Sequence, residues 1–205
     1  VFNRGPDAAT LHLLPTVWFR NTWSWGLGNR RQRLRAAEAP KGARAIAVES
    51  EYYGPLVLQC EGASELLFTE NESNEQRLWN FQNDSLHVKD GIDAYVVRGE
   101  AEAVNPERVG SKASAMYVLT VPAGGSSSVR LRLSGKTGSA DPFGSEFDGV
   151  FADRIREADA FYATLATPDL TEDARAVQRQ AFAGMLWSKQ FYHYDVGRWL
   201  RGDPA

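Results

Sequence analysis

One cysteine, Cys60, stands in 205 residues, so no internal disulfide can form and a secreted, disulfide-stapled framework is unsupported. No apolar run approaches the roughly 20 residues that a membrane-spanning helix needs. The chain opens on Val1 rather than methionine, and no signal peptide is expected. Cytoplasmic localisation is the resulting expectation. Basic residues are not in excess. Lys and Arg number 23 against 26 Asp and Glu, giving a net charge of -3. A nucleic-acid partner, which needs a basic surface to displace counterions, is therefore not expected. No repeat and no low-complexity tract occurs.

Chemistry-bearing motifs are scarce too. The three histidines, His12, His87 and His193, lie far apart without paired ligand spacing, so no metal site is expected. No GxSxG elbow is present, and GLGNR (26–30) lacks the glycines and lysine of a phosphate loop. No cofactor is expected. The sequons at Asn71 and Asn83 are read as chance.

What is present is a globular composition, 43% hydrophobic and 24% charged, in two stretches of different character. Residues 1–135 read as a β-sandwich domain, or the C-terminal portion of one. Leu11, Leu13, Val17 and Phe19 occupy odd positions of a run broken by Pro15, as in a half-buried strand with an irregularity. Trp18 is read as core, and His12 as facing solvent. Short apolar runs follow at 43–50, 55–62, 64–71, 92–100, 114–121 and 127–134, all read as strands. In the last, Val129, Leu131 and Leu133 alternate with Arg130 and Arg132, which predicts one buried and one wet face. VPAGGSSS between the final two runs reads as a hairpin connection.

Residues 136–170 read as a loop and linker helix. Phe147, Val150, Phe151, Ile155, Ala158, Phe161, Tyr162 and Leu165 recur at three and four, giving a helix with one apolar face. Pro168 ends it. Thr171 is the expected N-cap of a second helix running from about 172 to 201, with Glu172 and Asp173 complementing the helix dipole. Its C-terminal half, LWSKQFYHYDVGRWL, is apolar on most sides and demands a covering partner. Self-association through it is one expectation. Both ends of the chain resemble cuts through a larger structure; a whole domain with frayed ends is the alternative.

Two stretches suit sugar chemistry. TVWFRNTWSWGLGNR (16–30) combines the flat faces of Trp23 and Trp25 with Arg20 and Asn21, a mixture matched to a pyranose ring. Packing inside the sandwich is the competing role for these tryptophans. FTENESNEQRLWN (68–80) gathers Glu70, Glu72, Glu75, Asn71 and Asn74. It is either a solvated connection or a loop reaching over a pocket. Three acids on one flexible loop, without burial to raise a pKa, make a poor acid–base pair.

The blocks LHLLPTVWFRNTWSWG, ELLFTENESN, NPERVGSKASAMYVLTVPAGGSSSVRLRL and RQAFAGMLWSKQFYHYDVGRWLRGDP resemble bacterial proteins of glycoside hydrolase family 63, relatives of processing α-glucosidases. The likeness runs from Val1 to Ala205. It implies a β-sandwich, a linker helix and an (α/α)6 barrel whose two catalytic carboxyls act with inversion, held roughly 6.5–9.5 Å apart. On this resemblance residues 171–205 form the first barrel helix, and both catalytic carboxylates lie beyond Ala205. No catalytic residue is assigned within the chain. The implied function is a non-catalytic part of an inverting, exo-acting α-glucosidase for oligosaccharides or small α-glucosides, with the remainder of the parent chain as partner. The alternative is a stand-alone carbohydrate-binding sandwich. Candidate substrate-contacting residues are Trp23, Trp25, Glu70, Asn71, Asn74, Trp187, Gln190 and Tyr194.

Overall fold

The computed structural model of the chain describes residues 1–26, 31–135, 141–167, 169–188 and 196–202. Two compact units are described, Val1–Phe147 and Asp148–Ala205.

The first unit is a sandwich of two antiparallel sheets, as the sequence pattern predicts, and helices follow it in the second. One sheet is organised around a single long strand. β1 (Ala9–Leu13) and β2 (Thr16–Trp18) lie along one side of β8 (Lys112–Val121), and β6 (Glu65–Thr69) lies along the other. The interruption between β1 and β2 falls at Pro15, which lacks a ladder donor but whose carbonyl accepts from the Ala115 amide at 3.0 Å. The predicted alternation holds along 11–19. Leu13, Val17 and Phe19 pack against the core, while His12 and Thr16 are exposed. Trp18 departs from the expectation. It is 56% exposed, because the same period that buries Val17 and Phe19 turns it outward.

The second sheet has the order β7-β3-β4-β5-β9. Its members are β3 (Arg33–Ala37), β4 (Ala43–Ser50), β5 (Gly54–Glu61), β7 (Val109–Gly110) and β9 (Leu131–Ser134). Leu34, Ile46, Val48 and Cys60 from this sheet meet Leu66, Phe68, Ala113, Ala115 and Tyr117 from the other. Phe68 and Cys60 are fully buried.

Burial among these apolar side chains pushes the Cys60 thiol up from 9.0 to about 11. The raised value means that the fold favours the protonated thiol. Its contribution is complete below pH 9.0 and is lost as pH rises toward about 11. Cys60 is accordingly expected to resist alkylation at pH 8 in the folded chain and to react at the rate of a free thiol once denaturant unfolds it. Labelling at that rate under native conditions would contradict the packing described.

Three sequence expectations are corrected. The run 92–100 is not a strand. Residues Gly91–Arg98 form helix α2, because Ile92, Tyr95 and Val96 fall at helical spacing and pack on Leu67 and Met116, the outer face of the first sheet. β6 is thereby covered on both sides, which is why Leu66, Leu67 and Phe68 follow one another without a polar residue between them. The connection after β8 is not a hairpin either. The chain crosses to the other sheet, and β9 pairs with β5. The alternation predicted over 127–134 fails at its end: Val129 and Leu131 pack against the core as expected, but Leu133 is 56% exposed. Arg130 is 37% exposed rather than fully wet, held by both Glu61 oxygens at 2.6 Å and lying 5.7 Å from the Phe143 and Phe147 rings.

In the second unit, the two predicted helices appear as expected at their starts. α3 spans Ser145–Leu165. α4 spans Glu172–Trp187, with the Thr171 hydroxyl accepting from the Ala174 amide at 3.2 Å. The anticipated continuation to 201 is described only as α5 (Val196–Arg201); Pro168 and 189–195 lie outside the described residues. α3 and α4 are joined by Arg179, which bonds Asp159 at 2.6 Å and lies 4.9 Å from the Tyr162 ring. Neither helix has a buried residue.

Candidate functional site

The first part of the polar segment after β6, residues 70–74, is anchored, whereas 75–80 are exposed. The anchored part is fixed where the chain changes sheets. Ser111 sits between β7 of one sheet and β8 of the other and is fully buried. Its amide donates to the Thr69 carbonyl at 3.1 Å, and its carbonyl accepts from the Phe19 amide at 2.9 Å. Its hydroxyl donates to Glu70 and accepts from the Asn71 amide at 2.8 Å. A backbone switching between sheets leaves the ladder, so side chains and loop backbone supply the missing partners.

Around this point the two acids gather a cation and an indole. Trp23 lies in a short 3₁₀ turn, Trp23–Trp25, closed by Gly26 at φ 65°. Its Nε1 donates to Glu72 Oε1 at 2.7 Å. Arg31 donates to the same oxygen at 2.5 Å, lies 3.6 Å from Glu70 Oε1, and stacks 5.6 Å from the Trp23 ring. Glu72 is only 7% exposed, so its charge is carried by these partners and little by water. The backbone of the loop is pinned as well, with Glu70 donating to the His87 carbonyl at 2.8 Å and Lys89 donating to the Glu72 carbonyl at 3.0 Å.

Asn71 and Asn74 serve the same framework. Asn71 Nδ2 donates to the Phe19 carbonyl at 2.9 Å. Asn74 caps helix α1 (Glu75–Trp79), accepting from the Arg77 amide at 3.0 Å, and donates to Asp90, which also pairs with Arg77. Glu75 opens that helix and is exposed.

The predicted candidates therefore separate. Trp23, Glu70 and Asn71 come together at the sheet crossover, and Asn74 stands at its margin. Trp187 is the last residue of α4, in the other unit, and is 86% exposed. Gln190, Tyr194 and the Trp25 side chain lie outside the described residues. Sequence inspection missed Arg31 and Ser111. Arg31 belongs to an arginine-rich stretch that gives no hint of its carboxylate partners, and a lone serine before a strand carries no signal.

Chemically, Arg31 pairs with both carboxylates, while the Ser111 hydroxyl bonds Glu70 and the Trp23 indole bonds Glu72. Neither carboxylate is set to pass a proton to a substrate oxygen with the other facing an attacking water. The arrangement holds a loop and an indole in fixed geometry. Among the described residues no group of three or more His, Cys, Asp or Glu could hold a metal ion, and no helix is long and apolar enough to cross a membrane.

No family model matches the chain, and no solved structure matches it. A curated protein of Saccharomyces cerevisiae (strain ATCC 204508 / S288c), the uncharacterized protein YMR196W, is 33% identical over 233 residues. That match takes in 96% of this chain and 21% of the yeast protein, so the chain spans about a fifth of the length of the curated relative it matches.

Proposed function

We propose that this chain is a non-catalytic part of a glycoside hydrolase of the family 63 type, whose whole acts as an inverting, exo-acting α-glucosidase on oligosaccharides or small α-glucosides. The observation that carries this reading is the uncovered apolar surface of the helices that follow the sandwich. Val150 and Ile155 of α3 are 52% and 51% exposed, and Met185 and Trp187 of α4 are 74% and 86% exposed. Helices of this kind need neighbours, and an (α/α)6 barrel supplies them. The length of the yeast relative is compatible with such a barrel. The ion cluster at the sheet crossover gives the sandwich a supporting role, since its two acids are already held by Arg31, Trp23 and Ser111.

The test compares this chain with the complete product of its gene on a panel of α-glucosyl oligosaccharides. The complete product is expected to release β-glucose first, followed by NMR before mutarotation, and the 205-residue chain is expected to release none. Hydrolysis by the short chain, or none by the complete product, would overturn the proposal.

A further inference from the structure

A second polar surface lies on the sandwich beside the ion cluster, at the tip of the β4–β5 hairpin. A groove of about 250 Å³ is lined by Arg31, Gln32 and Arg33 on one side and by Glu49, Ser50, Glu51 and Pro55 on the other. It is smaller than an enclosed small-molecule site, which begins at roughly 300 Å³, and so can seat only part of a ligand. The hairpin residues between Glu51 and Pro55 include Tyr52 and Tyr53, 79% and 80% exposed.

Two features separate this surface from an ordinary turn. The tip is fixed. Ser50 Oγ accepts from the Tyr52 and Tyr53 amides, both at 3.2 Å, and Gln32 Oε1 accepts from the Glu51 amide at 3.1 Å. Two adjacent tyrosines are thus presented from a pinned backbone, which lowers the entropy lost when something stacks on them. The charges, moreover, are divided in a telling way. Arg31 is engaged with Glu70 and Glu72, and Glu49 is paired with Arg35. Arg33 and Glu51 line the same groove, yet among the described residues neither side chain has a hydrogen-bond or ion-pair partner. The groove therefore offers a guanidinium with its N–H donors open and a carboxylate with its acceptors open, at no net charge between them. The Gln32 amide nitrogen adds two donors.

A free anion or cation would meet one of these groups as a repelling charge. A neutral molecule with many hydroxyls would satisfy both, giving hydrogens to the carboxylate and lone pairs to the guanidinium, and its apolar ring face suits tyrosine. We propose that the groove bounded by Arg33, Glu51 and Gln32, together with Tyr52 and Tyr53 on the adjoining hairpin tip, binds a neutral oligosaccharide through its hydroxyls and one sugar face. The proposal rests on the glycoside-hydrolase reading and deepens it by giving the sandwich a glycan-holding surface. It is tested by binding and not by turnover, so either can fail while the other stands.

The experiment titrates the 205-residue chain with maltotriose, isomaltotriose and mannotriose, using amide NMR shifts and calorimetry. At least one trisaccharide is expected to bind with a dissociation constant on the order of 1 mM. The shifts should be centred on Gln32, Arg33 and Glu51–Gly54. The double substitution Tyr52→Ala/Tyr53→Ala and the single Arg33→Ala are each expected to weaken binding about tenfold. Tyr52→Phe/Tyr53→Phe, which keeps the ring faces, should retain most of it. These side chains are exposed, so the variants should unfold at the wild-type denaturant concentration. No binding of any of the three sugars, or binding that the alanine variants leave unchanged, would overturn the proposal.

Discussion

Gly110→Ala is expected to lower the unfolding free energy of the sandwich by about 3 kcal/mol. A Cβ on Gly110 would stand 2.2 Å from the Thr69 carbonyl oxygen and 2.8 Å from its carbon. Both are backbone atoms, so no side chain can swing aside. Thr69 ends β6 in one sheet and Gly110 ends β7 in the other, which makes this glycine a point of close approach between the sheets. Relief requires the strands to part. The next residue is Ser111, whose hydroxyl and amide fix Glu70, Asn71 and Thr69. The same substitution should therefore loosen the Glu70–Glu72 loop, and amide exchange at Asn71 and Lys89 should accelerate beyond what global destabilisation explains. Urea denaturation checks the first effect. A midpoint near that of the wild type would show that the sheets are not in contact there.

Glu72→Leu is expected to cost about 2–3 kcal/mol. Glu72 Oε1 accepts from both Trp23 Nε1 and Arg31, and the residue is nearly buried. Removing the carboxylate strands an indole N–H and takes from Arg31 its shorter ion pair, leaving Glu70 at 3.6 Å. Arg31 is one-third exposed and can turn partly to water, which keeps the effect below that of a fully buried pair. Glu72→Gln separates the terms. It keeps an acceptor for Trp23 while removing the charge, so its loss should be about half as large. The difference should persist at high salt, because pairs out of solvent are weakly screened. If leucine were tolerated without loss, the cluster could not be what holds the loop.

The parts of this structure that could be read from sequence are those fixed by local periodicity. The run 43–50 is β4 residue for residue, the alternation along 11–19 survives the break at Pro15, and Thr171 caps α4. The Ile-Asp-Ala-Tyr-Val-Val run misleads because its β-branched residues favour strands, whereas tertiary packing selects the helical stripe of Ile92, Tyr95 and Val96 against Leu67. The crossing after β8 was hidden for a related reason. Gly124 and Gly125 signal a turn but not which sheet the chain enters next. The candidate site was half legible. Acids, amides and tryptophans stood out by composition, but their fixing groups, Arg31 and Ser111, are each about forty residues from the loop they hold. No window of local sequence contains that relation, and so the loop looked solvated when it is tied at several points.

The central position of β8 sets an order on how this fold can assemble. β3, β4 and β5 follow one another along the chain and pair as neighbours, so most of the second sheet needs only short loops to close. The first sheet has no such local route. β1 pairs with β8 through Ala9 and Val121, β2 through Thr16 and Ser114, and β6 through Glu65 and Met116. During synthesis β1, β2 and β6 must wait, with their apolar faces bare and their ladder edges open, until the ribosome has released residue 121. The interval between β1 and β8 is the time of greatest exposure to misassembly, and a ribosome stalled before β8 would hold a half-formed sandwich with one sheet complete enough to fold and the other unable to begin.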